Sequence, residues 1–516
     1  MHRFFQISEL VELLCSHAAV ERPAEWETTK NPELAALART NSSVFFSHAI
    51  PLIWSSVTLD NLLRCCLPAD CFDHEVSPMR NFTSKLEVLR PLRDEDFERI
   101  LFYAPYIKFL SSFQDSVDLD SFSSGNSNSW FSRNKLPNLW GICWEDHLDD
   151  ESPYLSDFLS PELTMIHFSY LSFNGIEDVC GLANSCPQLR DVVFPTDNVL
   201  EPEWGLEDMN SAISECLRGL HFLETLVVHE LDHEAFGHVS RIPSLRSLRV
   251  DKIPSSIPIP GQPFFPSLQT LQLISETDQL SRFLGRCINI PLATFVASFH
   301  TLATQDDTHR VFAAAASGIS HTSMRSFSFY AGYQDPNTQP NHATQSIRAS
   351  SFRQLFCFAN MTSVTIQSDT GVDLDDNTVE DMARSWPRIE RLDLQSQFRF
   401  GNPTPRASVG CLRAFAKYCP NLGWLCMTFD TRAIPAPLNE SPIVQKMESL
   451  IVATSPIGVE SAQPIAAFLA SAFPSLKNVS IMPQGDPEEE YLIKEWAMAY
   501  PNFRGWHEVK SLLNKM

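Results

Sequence analysis

The hydrophobic residues of this chain return in one spacing along most of its length. In Pro243-Ser-Leu245-Arg-Ser-Leu248-Arg-Val250, a proline leads three apolar positions that are separated by three and then by two residues. The last two apolar positions fall on the same face of a β-strand, and their neighbours fall on the other face. Each copy therefore predicts a short strand with one buried face and one displayed face.

The spacing recurs thirteen times between residues 139 and 476. The first apolar positions of the copies are Leu139, Leu163, Leu189, Leu223, Leu245, Leu268, Leu292, Met324, Met361, Ile389, Leu422, Met447 and Leu476. Successive copies are 22 to 37 residues apart, so the repeat is irregular. A period in this range indicates a repeat architecture in which each unit packs on its neighbours.

Stretches with helical periodicity separate several copies, at residues 177–186, 278–287, 308–316, 378–386, 409–419 and 460–473. Alternating strands and helices with short connections predict an α/β fold with a parallel sheet. The pattern is typical of a leucine-rich-repeat solenoid, with its strands on the concave face and its helices on the convex face. The alternative is an ordinary doubly wound α/β domain, but such a sheet needs no recurring motif and seldom reaches about thirteen parallel strands.

Three short amphipathic helices are predicted ahead of the array, within residues 1–60. Their apolar positions are Ile7, Leu10, Val11, Leu14, Leu34, Leu37, Ala38, Phe45, Ala49, Leu52 and Ile53, and the third helix closes on Trp54. Three short helices form a very small core, which would be marginal without a docking partner or the neighbouring solenoid.

The order of these helices resembles a divergent F-box, as found in fungal F-box and leucine-rich-repeat proteins. Ser8 stands where that family usually has a proline, and a polar insert at residues 21–32 lengthens the first connection. The resemblance continues at Leu86-Glu-Val-Leu89-Arg90-Pro91-Leu92 and the predicted helix from Asp94 to Tyr103, which are similar to that family's first strand-helix unit.

The resemblance implies a substrate-receptor subunit of a cullin-RING ubiquitin ligase. The F-box-like segment would bind a Skp-type adaptor, the repeats would bind an unidentified target protein, and the chemistry would occur on another subunit, without a cofactor here. The chain is accordingly divided into three segments. They are an F-box-like helical segment at residues 1–60, linking strand-helix units with a Ser-rich loop from residue 111 at residues 61–135, and the leucine-rich-repeat array at residues 136–516. The residues expected to serve the helical core and the adaptor contact are Ile7, Leu10, Val11, Leu14, Leu34, Leu37, Leu52 and Trp54. The alternative is a non-catalytic repeat scaffold whose F-box is degenerate.

Charge and composition limit the classes of partner and the cellular compartment that we expect for this chain. The 39 Lys and Arg residues against 62 Asp and Glu give a formal charge of −23, which disfavours nucleic acid and anionic membrane surfaces. Glu9 and Glu12 interrupt the N-terminal apolar stretch, so no signal peptide is predicted. The 13 cysteines are scattered without a C-x-x-C pair, which fits buried thiols in a reducing compartment. We expect a protein of the cytoplasm, the nucleus or both.

One motif favours chemistry instead. His229-Glu230-Leu231-Asp232-His233 satisfies the H-E-x-x-H pattern of zinc hydrolases, in which two histidines on one helix face share a metal ion. Here the motif begins at the displayed end of a predicted strand, and Leu231 fits an inward position. A strand end cannot present the two histidines on one helix face, so an enzyme is not expected.

The repeat register also predicts the binding surface. Residues at alternate strand positions would be displayed on the concave face, where isolated aromatic residues and arginines are typical of a protein-binding surface. The residues expected to bind the target are His167, His229, Arg249, Asp251, Tyr330, Arg391, Asp393 and Trp424.

Overall fold

The structure is a computed structural model that describes residues 11, 15, 32–40, 44–71, 89–90, 92–112, 136–145, 155–171, 175–196, 206–254, 264–299, 303–331, 346–368, 371–394, 405–438, 446–452, 455–480 and 502–515. It consists of two compact units, Met1–Leu245 and Arg246–Met516. The boundary falls inside the segment predicted as the repeat array. The predicted division at residues 60 and 135 stays a prediction.

The first unit contains parallel strands that are hydrogen-bonded to one another in chain order. They are β1 (Ser56–Thr58), β2 (Phe109–Ser112), β3 (Gly141–Glu145), β4 (Met165–Tyr170), β5 (Asp191–Val193) and β6 (Thr225–Glu230). Its described helices are α1 (Pro32–Thr40), α2 (Phe46–Ile53), α3 (Leu59–Cys66), α4 (Glu98–Tyr103), α5 (Ile176–Ser185), α6 (Leu206–Gly219) and α7 (His233–Val239). Helices α5 and α6 pack on each other, as do α6 and α7.

The second unit repeats this design. Its main parallel strands are β7 (Ser247–Lys252), β8 (Thr270–Ile274), β9 (Thr294–Phe299), β10 (Ser326–Ala331), β12 (Ser363–Ser368), β14 (Arg391–Asp393), β15 (Trp424–Cys426), β16 (Ser449–Ile451) and β17 (Asn478–Ser480), and a separate pair is formed by β11 (Ile347–Arg348) and β13 (Val372–Asp373). The helices are α8 (Thr277–Arg286), α9 (Gln305–Gly318), α10 (Ala349–Leu355), α11 (Asp376–Ser385), α12 (Leu412–Tyr418), α13 (Ala462–Ala472) and α14 (Asn502–Leu513).

The strands and helices predicted for the repeat array are confirmed. In each of the thirteen copies a strand begins two residues after the first apolar position, as β7 begins at Ser247 after Leu245. Helices or helical turns also occupy all six stretches that were predicted between the copies. The alternation of parallel strands and helices expected of a leucine-rich-repeat array is therefore present in both units.

Two strands, β1 and β2, lie ahead of the first predicted copy. Strand β2 lies within Pro105-Tyr-Ile107-Lys-Phe-Leu110-Ser-Ser112, which is the same motif with Ser112 at its last apolar position. A search that tolerated a small polar residue there would have found it. The helical segment predicted from Asp94 to Tyr103 is confirmed as a 3₁₀ turn followed by α4, whereas residues 81–88 and 113–135 lie outside the described part of the chain.

The core of the second unit is dominated by phenylalanine. Phe312 on α9 is buried and meets three other phenylalanine rings edge-on, with centroid distances of 5.4 Å to Phe327, 5.0 Å to Phe329 and 6.3 Å to Phe352. Edge-to-face packing of this kind adds about 0.5–1.5 kcal/mol per pair to the stability gained from burial. One helix residue thus joins β10 to α9 and α10.

Close approach between helices depends on small residues. A Cβ atom added to Gly318 at the end of α9 would lie 2.4 Å from the carbonyl oxygen of Leu284 on α8. The start of α9 is fixed by a capping box, in which Thr304 accepts a hydrogen bond from the backbone N–H of Asp307 and the Asp307 carboxylate accepts one from the N–H of Thr304. Local sequence therefore sets where α9 starts, and glycine allows it to reach its neighbour.

The N-terminal helices form a separate small core. Its buried members are Val11, Cys15, Leu34, Ala38, Phe45 and Ala49, and its partly exposed members are Leu37, Val44, Leu52 and Ile53. We call these ten residues the N-terminal helical core. Several of its largest apolar side chains are only half-covered by the described residues, in contrast to the repeat strands.

Candidate protein-binding surface

Strand alternation gives each unit a displayed face. In β7 the side chains of Leu248 and Val250 are buried in the core, while Ser247 and Arg249 lie on the opposite face and are partly exposed. The same alternation holds for β8 and β9, and for β10 except that Ser328 on its displayed face is buried. Strand β8 pairs with β7, β9 with β8 and β10 with β9, residue by residue. A residue that binds the target should therefore lie on a displayed face.

Arg391, Asp393 and Trp424 are brought together on the second unit. The register places Arg391 opposite Trp424, and the guanidinium carbon of Arg391 lies 3.7 Å from the centroid of the indole ring. The Arg391 side chain remains 51% exposed, while the Asp393 side chain, whose carboxylate lies 3.9 Å from the guanidinium, is only 4% exposed. A partner approaching this face meets a cation held over an aromatic ring, an arrangement worth about 0.5–1 kcal/mol at exposed sites.

Arg249 and Asp251 form a second pair of the same kind. Arg249 Nε donates a hydrogen bond of 3.1 Å to the Asp251 carboxylate, which is 6% exposed, whereas the Arg249 side chain is 30% exposed. The two arginines thus share one local design, with an outward guanidinium and a covered carboxylate two residues further along the strand. Tyr330, also predicted for target binding, lies half-buried on the displayed face of β10 between Ser298 and Gln367.

In the first unit, His167 is paired with a residue that the sequence analysis missed. His167 Nε2 lies 3.0 Å from a carboxylate oxygen of Asp191, the first residue of β5. Asp191 directly follows the Leu189-Arg dipeptide, so the repeat register could have identified it as a displayed residue. The backbone register also places Cys143 on β3 opposite His167.

The thiols of Cys143 and Cys426, which lie on strands of the two units, are poor candidates for nucleophiles. Burial raises the pKa of Cys143, and a hydrogen bond with Ser169 only partly offsets that rise. Cys426 lies opposite Asp393 in the strand register of the second unit, and burial raises the pKa of its thiol far above the ordinary value. Nucleophilic cysteines need a lowered pKa, so Cys143, His167 and Asp191 do not have the electrostatics of a catalytic triad.

The H-E-x-x-H segment is split between two elements. His229 is half-buried near the end of β6, Leu231 is buried, and His233 is the exposed first residue of α7. Asp232 caps α7 by accepting a 2.7 Å hydrogen bond from the N–H of Ala235, so the motif encodes a helix start. Within the described ranges, no group of three or more His, Cys, Asp or Glu residues could hold a metal ion.

The residues predicted to contact an adaptor fall into three groups. Val11 and Leu34 are buried in the N-terminal helical core, and Leu37 and Leu52 are partly exposed at its edge. Trp54 stacks on Tyr103 of α4 at a centroid distance of 4.1 Å. The remaining three, Ile7, Leu10 and Leu14, lie outside the described residues. The adaptor-binding and target-binding roles stay predictions.

Comparisons with known proteins give little further guidance. No family model matches the chain, and no curated protein matches it. Among solved structures, similarity is found to the leucine-rich-repeat-containing protein LegL7 from Legionella pneumophila, with 14% identity over 58% of this chain and 96% of that one and a TM-score of 0.24. Human 5T4, also named Wnt-activated inhibitory factor 1 or trophoblast glycoprotein, has 14% identity over 49% of this chain and 75% of that one, with a TM-score of 0.22.

TM-scores this low carry no argument about fold or function. The repeat architecture of this chain rests on its own strand register and on the motif that precedes each strand. Among the residues that the structure describes, no helix is both long and apolar enough to cross a membrane.

Proposed function

We propose that this chain is a substrate-recognition subunit of a Skp-cullin-F-box type ubiquitin ligase. Its N-terminal helices bind the Skp-type adaptor, and the displayed faces of its repeats bind a target protein. The chain itself contributes positioning, because holding two reactants together lowers the barrier to their reaction without any catalytic group in the receptor.

The observation that carries the adaptor role is the incomplete cover of the N-terminal helical core. Leu37 on α1 and Leu52 on α2 are partly exposed beside buried Leu34 and Ala49. An apolar edge on a small helical core is the kind of surface that a protein partner covers. Because Trp54 stacks on Tyr103 within the chain, Leu37 and Leu52 are better candidates than Trp54 for direct contact with the adaptor.

Support for target recognition comes from the repeats. In each unit the parallel strands display side chains on one face. In the second unit these displayed side chains include the stacked pair Arg391 and Trp424. Arginine and tryptophan are the residues that most often dominate binding energy at protein interfaces. The alternative is a repeat scaffold that binds proteins but recruits no ligase, which is favoured by Ser8 and by the polar insert at residues 21–32.

Binding of the full chain to a purified Skp-type adaptor tests the proposal. We expect binding at micromolar adaptor, and we expect the double variant Leu37→Asp/Leu52→Asp to weaken it at least about tenfold, since each change places a charge at an apolar contact. The affinity can be measured by isothermal calorimetry or by biolayer interferometry.

A matched control carries the same charge change at exposed positions of the same helices. Ala36→Asp/Ser47→Asp should leave the affinity within about twofold, because exposed substitutions have small effects. Circular dichroism would establish that both double variants keep their helices. No binding by the unmodified chain would reject adaptor binding and leave the scaffold alternative. Equal loss in the two double variants would reject the contact through Leu37 and Leu52.

A further inference from the structure

The displayed face of the second unit has an uncharged floor between two arginines. Arg249 stands on β7 and Arg391 on β14, and β8, β9, β10 and β12 lie between them in the sheet. The partly exposed residues on this face of the four strands are Thr270, Gln272, Ile274, Thr294, Val296, Ser298, Ser326, Tyr330, Ser363 and Gln367, whereas Ser328 and Thr365 on the same face are buried. The exposed Ser and Thr side chains among them can form hydrogen bonds with a ligand without adding a charge.

The distance between the arginines defines the length of a ligand. Five strand-to-strand steps separate β7 from β14, and neighbouring strands lie about 4.8 Å apart, which gives about 24 Å. An extended peptide advances about 3.4 Å per residue, so about seven residues span that distance. The floor therefore matches a short extended segment in length.

The charge that a ligand meets on this face is positive at both ends. The side chains of Asp251 and Asp393 are covered, whereas the side chains of Arg249 and Arg391 are 30% and 51% exposed. Stacking on Trp424 also restricts the Arg391 side chain, so less rotamer freedom is lost when its remaining N–H groups bind a ligand.

We propose that this face binds an extended segment of a partner protein that carries two acidic side chains six or seven residues apart. One carboxylate binds Arg391 beside the Trp424 ring, and the other binds Arg249. Small, uncharged residues of the segment lie over the floor between them. The proposal rests on the recognition role proposed for the repeats, and it adds the chemistry of the recognised segment.

Carboxylates fit this face better than phosphates do. Each arginine has a covered carboxylate close by, which would repel a doubly charged phosphate more than a singly charged carboxylate. Phosphopeptide sites usually use clusters of arginines, and here the two stand about 24 Å apart. The formal charge of −23 opposes anionic partners at long range, but salt screens charges beyond about 8 Å at physiological ionic strength, so the local guanidinium groups decide.

Selection from a display library of random twelve-residue peptides on the full chain tests the proposal. We expect enriched peptides to carry Asp or Glu at two positions six or seven residues apart. For the synthesised peptides, Arg391→Gln should weaken binding about 10- to 100-fold in fluorescence anisotropy, since charged hydrogen bonds are lost. Arg249→Gln should also weaken it, and Trp424→Phe should weaken it less than Trp424→Ala, because a ring still supports the guanidinium.

The matched control is Arg282→Gln, which removes an exposed arginine with an acidic partner from α8, away from this face; it should leave peptide affinity unchanged. Enriched peptides without the acidic pair, affinity that survives Arg391→Gln, or tighter binding when phosphoserine replaces the acids would overturn the proposal. Adaptor binding measured on the same protein separates the two ideas. Adaptor binding without acidic peptide selection rejects only this site, and the reverse result rejects only the ligase role.

Discussion

The N-terminal helical core and the phenylalanine core of the second unit differ in how completely they are covered. Phe312, Phe327, Phe329 and Phe352 are all fully buried, and their rings meet edge-on. The N-terminal helical core has only six buried members, two of which are alanines, and four partly exposed ones. A core whose faces are all occupied stabilises its fold, whereas a core with an open apolar edge has surface left for a partner.

Ion pairs support the region that follows the N-terminal helices. Arg90 Nη1 and Nη2 donate hydrogen bonds of 2.8 and 2.9 Å to the two carboxylate oxygens of Asp96, and Arg90 Nε donates one of 3.0 Å to Asp70. A forked pair of this type is among the stronger polar contacts in proteins. These polar contacts supplement apolar burial in the segment that links the N-terminal helices to the repeats.

Removing an aromatic ring should produce the largest effect. Phe312→Ala takes away three edge-on partners and leaves a cavity, so we expect a loss of about 3–5 kcal/mol. Hydrogen exchange followed by mass spectrometry should show faster exchange throughout β9, β10 and α9. The matched change Leu34→Ala should cost about 2–3 kcal/mol and speed exchange only in α1 and α2. Equal and chain-wide effects of the two variants would show that the cores do not differ in this way.

A substitution at a helix contact should have an intermediate effect. Gly318→Ala introduces a Cβ atom 2.4 Å from the Leu284 carbonyl oxygen, so α8 and α9 must move apart, at a cost of about 1–3 kcal/mol. Gly285→Ala is the control, because outside the backbone of its own helix and its two chain neighbours no atom lies within 4 Å of the added Cβ, and alanine should stabilise α8 by up to about 1 kcal/mol. Urea unfolding measures both, and a shift of the same sign in the two variants would contradict tight helix packing.

Acid should produce the smallest of these effects. Hydrogen bonds from Arg90 lower the pKa of Asp96 to about 2, from an ordinary value of 3.8. Because the folded pKa is the lower one, the pair stabilises the fold fully above about pH 4, and that contribution is lost as the pH falls towards about 2. Asp96→Asn should therefore speed hydrogen exchange in residues 92–103 at about pH 5 and have little effect near pH 2. An equal effect at both pH values would assign Asp96 a role that does not depend on its charge.

The N-terminal and repeat regions also differ in how far sequence alone could predict them. All thirteen copies of the motif placed their strands correctly, because side chains alternate along a strand with a period of two and the pattern is local. Strand β2 escaped detection because it ends on serine instead of a large apolar residue. The predicted adaptor residues could be located on helices, but the sequence could not tell buried Leu34 from partly exposed Leu37.

The sequence determined the alternation of strands and helices, the buried face of each strand and the helix starts at Asp232 and Thr304, since all of these depend on residues close together in the chain. The tertiary structure decided which displayed residues meet. Trp424 supports Arg391 across 33 residues, Asp191 reaches His167 across 24, and Trp54 stacks on Tyr103 across 49. Lateral pairing of strands makes the first two contacts and packing between helical segments makes the third, while Asp251 and Asp393 are covered and their arginines stay exposed. Exposure on the binding surface depends on neighbours from other repeats, and no local pattern encodes them.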